Sequence, residues 1–169
     1  MPPRASAWDG AAMTRRFDRV ERSYYRCCIS DGFFDDFYRA LLARSAEARE
    51  KFRNTDFERQ NELLRTALRL LVRYAWGDVK GRAGIDRLAR RHAPDGYDVA
   101  PELYDCWVDA LVETVARHDP YADAALCAAW RRAVEPGIRR MRAGYRLYAH
   151  TPEQRPAHAS WSATGTGPH

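Results

Sequence analysis

Two polar side chains lie on helix faces that are otherwise apolar, and both are of types that can bind or contact a ligand. Gln60 falls within a stripe that recurs at steps of three and four residues on a predicted helix over residues 56–76. His92 ends a similar stripe on a predicted helix over residues 84–92. Each has a structural explanation, because a buried amide can bond a backbone carbonyl and a helix C-terminus favours histidine.

Considered together, the two residues suggest a cofactor site. Their helices are consecutive and can face each other across an apolar gap. A neutral imidazole on one wall and a hydrogen-bond donor on the other suit an iron porphyrin, since the imidazole binds the iron axially and the donor contacts the sixth ligand. The aromatic residues Tyr38 and Phe52 could close the same gap.

The composition is that of a single globular domain, with 169 residues, 46% of them hydrophobic and 30% charged. No apolar run approaches the roughly 20 residues of a membrane span, and the start lacks the apolar region of a secretory signal. We therefore expect a cytoplasmic protein without a membrane partner.

The net charge of +5 comes from arginines spread over all helices, so no nucleic-acid partner is expected. We expect reduced, packed thiols rather than a zinc site at Cys27, Cys28, Cys106 and Cys127.

Helical periodicity dominates the chain, and no segment shows the alternation of a strand. We predict helices over about residues 14–29, 33–44, 47–52, 56–76, 84–92, 101–117 and 121 to the mid-140s. Pro136 should kink or weaken the last of them. Residues 1–13 are predicted to be a flexible leader and residues 151–169 a flexible polar tail, on either side of a domain at 14–150. Helices of unequal length favour oblique crossings over a symmetric bundle.

Several segments resemble bacterial globins in their order and spacing. Residues 37–42 (FYRALL), 47–52 (EAREKF) and 55–60 (TDFERQ) are similar to the front half of a globin, and residues 88–92 (LARRH) to its proximal-histidine helix. Residues 101–115 and 128–130 resemble its last two helices. The resemblance extends over roughly residues 17–142. It implies an all-α, globin-like fold of six to seven helices around a pocket for haem b, as in bacterial single-domain haemoglobins.

The resemblance also implies roles for individual residues. His92 would bind the iron, and Tyr38 and Gln60 would face the bound gas from the distal side. Either Arg91 or Arg59 would pair with a haem propionate, and the sequence leaves this choice open. The other residues implied to line the haem are Phe52, Leu64, Leu88, Tyr97, Val99, Tyr104, Trp107 and Leu111.

The implied function is reversible binding of dioxygen, carbon monoxide and nitric oxide, with storage, delivery, sensing and nitric-oxide scavenging all open. In many bacterial relatives the proximal histidine is tied to a Tyr and a Glu. Tyr104 matches the Tyr, but residues 142–145 (RAGY) contain no acid, so peroxide-type chemistry is less favoured. No flavin or nicotinamide domain follows the globin part, so nitric-oxide dioxygenase turnover would need a separate reductase.

Two other interpretations remain open. One is a cofactor-free all-α interaction module that binds an acidic partner or nucleic acid through a basic face. This face comprises Arg131, Arg132, Arg139, Arg140, Arg142 and Arg146. The other is a globin fold that binds a linear tetrapyrrole or no ligand. The remaining histidines, His118, His150, His158 and His169, are predicted to be exposed.

Overall fold

The computed structural model describes the backbone of residues 8–149 and the side chains of residues 18–149. Within this range the chain forms seven helices and no strand, which confirms the all-α prediction. They are α1 (Trp8–Ile29), α2 (Phe33–Arg44), α3 (Ala46–Lys51), α4 (Phe57–Ala75), α5 (Val79–His92), α6 (Leu103–His118) and α7 (Ala124–Leu147).

The ends of the chain fall partly outside this description. Helix α1 begins at Trp8 rather than Thr14, so residues 8–13 of the predicted leader are helical. Residues 1–7, the predicted tail at 151–169 and the three tail histidines lie outside the described residues. Across residues 8–149, every helix is too short or too polar to cross a membrane.

Helix α5 begins at Val79, and the prediction of Gly84 as its start was wrong. Gly81 and Gly84 lower the local helix propensity, so the first turns of α5 were not predicted from the sequence. The actual cap is Asp78, whose carboxylate accepts a hydrogen bond of 2.8 Å from the backbone N–H of Lys80. Gly81 permits a close approach to α4, because a Cβ there would lie 2.7 Å from the backbone nitrogen of Tyr74.

Helix α7 continues through Pro136 as a single element, although proline lacks the N–H of one helical hydrogen bond. Its N-terminus is capped by Asp123, which accepts a hydrogen bond of 2.7 Å from Leu126 N. Its buried face packs against α4, α5 and α1. We attribute the continuity of α7 to this burial, since tertiary packing stabilises helices more than propensity does.

Polar contacts fix α1 against the rest of the core. Trp130 on α7 is fully buried, and its Nε1 donates a hydrogen bond of 2.9 Å to Ser23 Oγ on α1. Arg26 on α1 forms two hydrogen bonds of 2.8 Å with the buried carboxylate of Asp119, just after α6. Burial alone would raise the pKa of Asp119, but hydrogen bonds from Arg26 and Ser23 hold it below its usual value.

His118, at the end of α6, is mostly buried, so the prediction that it is exposed was wrong: its side chain is 11% exposed. One ring nitrogen lies 2.8 Å from Ser30 Oγ, and the other lies 2.8 Å from a carboxylate oxygen of Asp36. The hydrogen bond from His118 lowers the pKa of Asp36. This cluster ties the α1–α2 turn and the first turn of α2 to α6. It therefore helps to position α2, which carries Tyr38.

Candidate ligand-binding cavity

A cavity of about 300 Å³ lies between α4 and α5 and is closed by side chains from α2, α3, α6 and α7. Its walls are mainly apolar, with a few polar side chains, as is typical of sites for cofactors and other small molecules. The predicted site residues that line it are Tyr38, Phe52, Gln60, Leu64, Leu88, Arg91, His92, Tyr97, Val99, Tyr104 and Trp107.

Two residues named from the sequence lie away from this lining. Leu111 is fully buried in the core side of α6, and Arg59 is exposed on α4. Neither borders the cavity. Helical spacing alone could not exclude them, because it gives the direction of a side chain only relative to its own helix.

Other lining residues were missed from the sequence: Leu41, Lys51, Leu63, Thr66, Ala67, Leu70, Leu71, Gly84, Arg87, Leu103, Ile138 and Met141. A signal existed for Arg87, which precedes Arg91 by one helical turn and therefore shares its face. No local signal existed for Ile138 and Met141. They reach the cavity because α7 packs across α4 and α5.

His92 provides a potential metal ligand on the α5 wall. Its Nδ1 lies 2.8 Å from the carbonyl oxygen of Leu88. A carbonyl can only accept, so Nδ1 carries the ring hydrogen and Nε2 keeps its lone pair. Burial lowers the pKa of His92, the hydrogen bond to Leu88 opposes this, and the charge of Arg91 lowers the pKa further. The imidazole is therefore neutral at neutral pH, which is the form that binds metals.

Tyr38 on α2 and Gln60 on α4 form a polar pair on the opposite wall. Gln60 Nε2 donates a hydrogen bond of 3.0 Å to Tyr38 Oη. The Tyr38 hydroxyl itself donates to the backbone carbonyl oxygen of Gln60 over 3.5 Å, which is longer than an ordinary O–H···O bond. Burial raises the pKa of Tyr38, so its hydroxyl stays protonated. The wall thus offers an O–H donor that no protein acceptor holds firmly.

Aromatic packing holds the ring of Tyr38 in place. Its centroid lies 5.3 Å from that of Phe52 and 5.3 Å from that of Phe57. Phe52 and Phe57 stack on each other at 6.3 Å. Edge and offset contacts at these distances are favourable for aromatic pairs. The cluster leaves the ring of Tyr38 little freedom to leave the cavity wall.

Tyr104 lies on α6 and borders the cavity, and burial raises its pKa. The sequence matched Tyr104 to the Tyr that is tied to the proximal histidine in bacterial relatives, but Nδ1 of His92 is bonded to the carbonyl oxygen of Leu88 instead. No Asp or Glu is among the described residues that line the cavity. Nor does residue range 18–149 contain a cluster of three or more His, Cys, Asp and Glu side chains suited to a metal ion. A metal here would depend on His92 and on ligands that the protein does not supply.

The fold and the cavity together define a helical protein of the haemoglobin type. No protein-family model matches the chain, and no curated protein does. Among solved structures, it is similar to a protein from Pseudomonas aeruginosa that is described as structurally highly homologous to a human haemoglobin. The two are 45% identical with a TM-score of 0.74, over 77% of this chain and 98% of that chain. The chain belongs to the globin family.

Proposed function

We propose that the protein binds haem b in this cavity and reversibly binds dioxygen and other diatomic gases, including carbon monoxide and nitric oxide. The observation that carries the proposal is that two walls of one cavity carry complementary groups, a metal ligand on one and hydrogen-bond donors on the other. His92 presents a neutral imidazole on α5, and Tyr38 with Gln60 presents hydrogen-bond donors on α4 and α2. A globin fold brings the three residues together.

The residues present fit a haem group. Nε2 of His92 has no described hydrogen-bond partner, so its lone pair is free to bind iron. Leu64 and Leu88 offer apolar contact from the two facing helices, and Phe52 and Trp107 add aromatic contact. Haem iron, when bound, supplies the bond to the gas. His92 would hold the iron through Nε2, and the protein would supply a low-dielectric enclosure and the hydrogen bond of Tyr38.

Nitric-oxide dioxygenase activity is a second role open to the same cavity, and the observation that favours it is the donor pair Tyr38–Gln60. Such turnover would also require a reductase as a partner. The backbone carbonyl that bonds His92 is a neutral acceptor. It supports gas binding better than peroxide-type chemistry, which is favoured by an anionic partner of the proximal histidine.

The alternative of a cofactor-free interaction module is less well supported. Most of its proposed basic face is already neutralised by acidic residues of the same domain. Arg131 pairs with Asp109 at 2.8 Å, and Arg142 pairs with Asp105 at 2.5 Å. Arg139 and Arg140 also form ion pairs, with Glu135 and Asp86. Arg132 and Arg146 are the two arginines of this face that remain, and two charges attract an acidic partner only weakly.

The deciding experiment is an absorption spectrum of the purified protein reconstituted with haemin, in ferric, ferrous and carbonyl forms. We expect a Soret band that shifts on reduction and again on addition of carbon monoxide. His92→Ala should lose the haem or bind it weakly, and Arg82→Gln, on the exposed side of α5, serves as the control. An unchanged spectrum in His92→Ala would overturn the axial assignment. A colourless protein that does not take up haemin would overturn the proposal itself.

A further inference from the structure

Ser30, His118 and Asp36 form a continuous chain of hydrogen bonds outside the cavity. Nδ1 of His118 lies 2.8 Å from Ser30 Oγ, and Nε2 lies 2.8 Å from Oδ2 of Asp36. None of the three residues lines the cavity between α4 and α5. A hydroxyl, an imidazole and a carboxylate joined in this order have the roles of nucleophile, base and orienting group in serine hydrolases.

The carboxylate of Asp36 determines where the hydrogens of this chain lie. The hydrogen bond from His118 and the charges of Arg39 and Arg117 lower the pKa of Asp36, so the carboxylate is ionised at neutral pH and can only accept. In the neutral imidazole, Nε2 therefore carries the hydrogen, and the lone pair of Nδ1 accepts from the Ser30 hydroxyl. The two ring nitrogens are exchanged relative to serine proteases, but the three roles are the same.

Packing holds the imidazole of His118 in this orientation. The ring is mostly buried, and the ring of Phe33 packs against it edge to face, with centroids 5.6 Å apart. This contact and the two hydrogen bonds restrict rotation of the imidazole. A base that is already oriented towards a hydroxyl needs little rearrangement to take its proton.

Ser30, in contrast, lies in a turn that solvent can reach. The side chain is partly exposed, and the neighbouring residues Ile29, Asp31 and Gly32 are exposed. Ile29, at 83% exposed, offers apolar contact to a small acyl group, whereas the charge of Asp31 repels anions. Helix α2 begins directly after this turn, and its N-terminus has no side-chain cap. The positive end of the helix dipole is therefore close in the chain to negative charge that develops at Ser30.

We propose that Ser30, His118 and Asp36 hydrolyse neutral, activated carboxylic esters with a small apolar acyl group, independently of the cavity. Ser30 Oγ attacks the carbonyl carbon and forms the new C–O bond while its proton passes to Nδ1 of His118. The bond from the carbonyl carbon to the alcohol oxygen breaks, and the alcohol leaves with that proton. Water then attacks the acyl-serine in the same way and releases the carboxylic acid. Asp36 is a positioning residue, because it acts through the imidazole.

The first test is covalent labelling of the full chain with diisopropyl fluorophosphate, a neutral probe for activated serines. The Ser30 oxygen displaces fluoride from phosphorus, and its proton passes to His118. Trypsin then releases residues 27–39, in which Ser30 is the only serine, and fragment-ion mass spectrometry distinguishes it from Tyr38. We expect the label on Ser30 of the folded protein and not of the urea-unfolded chain. Ser45, which caps α3 and bonds Ala48 N, is the internal control and should stay unlabelled.

Variants of the chain separate a catalytic from a structural role. His118→Gln should slow the labelling of Ser30 about hundredfold, as expected on removal of a general base. Asp36→Asn should slow it by about tenfold or more, and Asp36→Glu should recover part of the rate because it restores the charge. A purely structural role would favour asparagine, which has the size of aspartate. Asp35→Asn, the same change at the neighbouring residue, is the matched control and should label like wild type.

The second test is hydrolysis of p-nitrophenyl acetate, which Ser30→Ala should slow by about tenfold or more. Circular dichroism checks the fold of every variant, and the comparison of Asp36→Asn with Asp36→Glu decides if His118→Gln does not fold. Absence of label from Ser30 in the folded protein would overturn the proposal. Labelling of Ser30 at equal rates in wild type and Asp36→Asn would also overturn it, as would equal ester hydrolysis by wild type and Ser30→Ala.

Discussion

Gln60 Nε2 donates a hydrogen bond of 3.0 Å to Tyr38 Oη, so the two polar side chains of the α4 and α2 wall act as one unit. The sequence suggested two independent donors that converge on the cavity. The contact instead makes the Tyr38 oxygen an acceptor, which leaves its hydrogen for a ligand. One N–H of Gln60 is committed to this bond. Tyr38 is therefore the expected donor to the gas, and Gln60 positions it.

Tyr38→Phe should speed oxygen dissociation severalfold and barely change carbon monoxide release. Bound dioxygen carries more negative charge than bound carbon monoxide, so it gains more from a hydroxyl donor. A hydrogen bond here should contribute about 1–2 kcal/mol, or roughly five- to thirtyfold in affinity. The effect should appear in the dissociation rate, which stopped-flow displacement measures. Equal oxygen off-rates in wild type and Tyr38→Phe would show that Tyr38 is only a packing residue.

Gln60→Leu should also speed oxygen dissociation, but mainly through Tyr38. In the Tyr38→Phe background the same change should have a much smaller effect, because the hydroxyl that Gln60 positions is gone. A double-mutant cycle on the oxygen off-rate should then give a coupling of about 1 kcal/mol, within the range for residues in direct contact. Additive effects of the two substitutions would contradict this arrangement and indicate two separate donors.

Gly81→Ala should lower the free energy of unfolding, even though alanine favours a helix. The new Cβ would lie 2.7 Å from Tyr74 N and 2.9 Å from Arg73 C, which are backbone atoms of α4. Overpacking typically costs about 1–3 kcal/mol, against about 1 kcal/mol gained in helix propensity. We expect a net loss of about 1 kcal/mol in urea unfolding.

Gly84→Ala is the matched control for that measurement. Its Cβ would meet the end of the Leu70 side chain, at 2.5 Å from Cδ2, and a side-chain methyl can move aside. The loss should be smaller than for Gly81→Ala. A larger loss at Gly84 would mean that the backbone approach at Gly81 does not limit the packing of α4 on α5.

The haem-free protein should lose stability in mild acid because of His92. Burial lowers the pKa of this histidine in the folded state, whereas the unfolded chain keeps a value of about 6.5. Below that pH the unfolded state takes up a proton more readily than the folded state does. The contribution of His92 to the free energy of unfolding is therefore complete above about pH 6.5 and declines below it. Lowering the pH from 7.5 to 5.5 should therefore reduce the free energy of unfolding through this group.

Chemical unfolding of wild type and His92→Gln at the two pH values measures this contribution. The pH-dependent loss of stability should be smaller in His92→Gln than in wild type. His118→Gln provides a second comparison, because His118 lies in the Ser30–Asp36 cluster away from the cavity. An identical pH dependence in wild type and His92→Gln would contradict the lowered pKa of His92.

The sequence by itself determined the helical class, most helix positions and the placement of Gln60 and His92 on apolar faces. These features are local, because a few helical turns of sequence are enough to show the 3.6-residue period and capping residues such as Asp56. The start of α5 was missed for a non-local reason: Gly81 is tolerated in a helix that gains close contact with α4.

Tertiary structure alone decided which side chains meet. No spacing rule relates Tyr38 to Gln60, and none brings Met141 of α7 to the cavity that His92 borders. Arg59 and Arg91 were equal candidates in the sequence, and of the two only Arg91 lines the cavity. Helical periodicity fixes the direction of each side chain around the axis of its own helix. A site depends on how several helices cross, and the packing of whole helix faces sets those crossing angles.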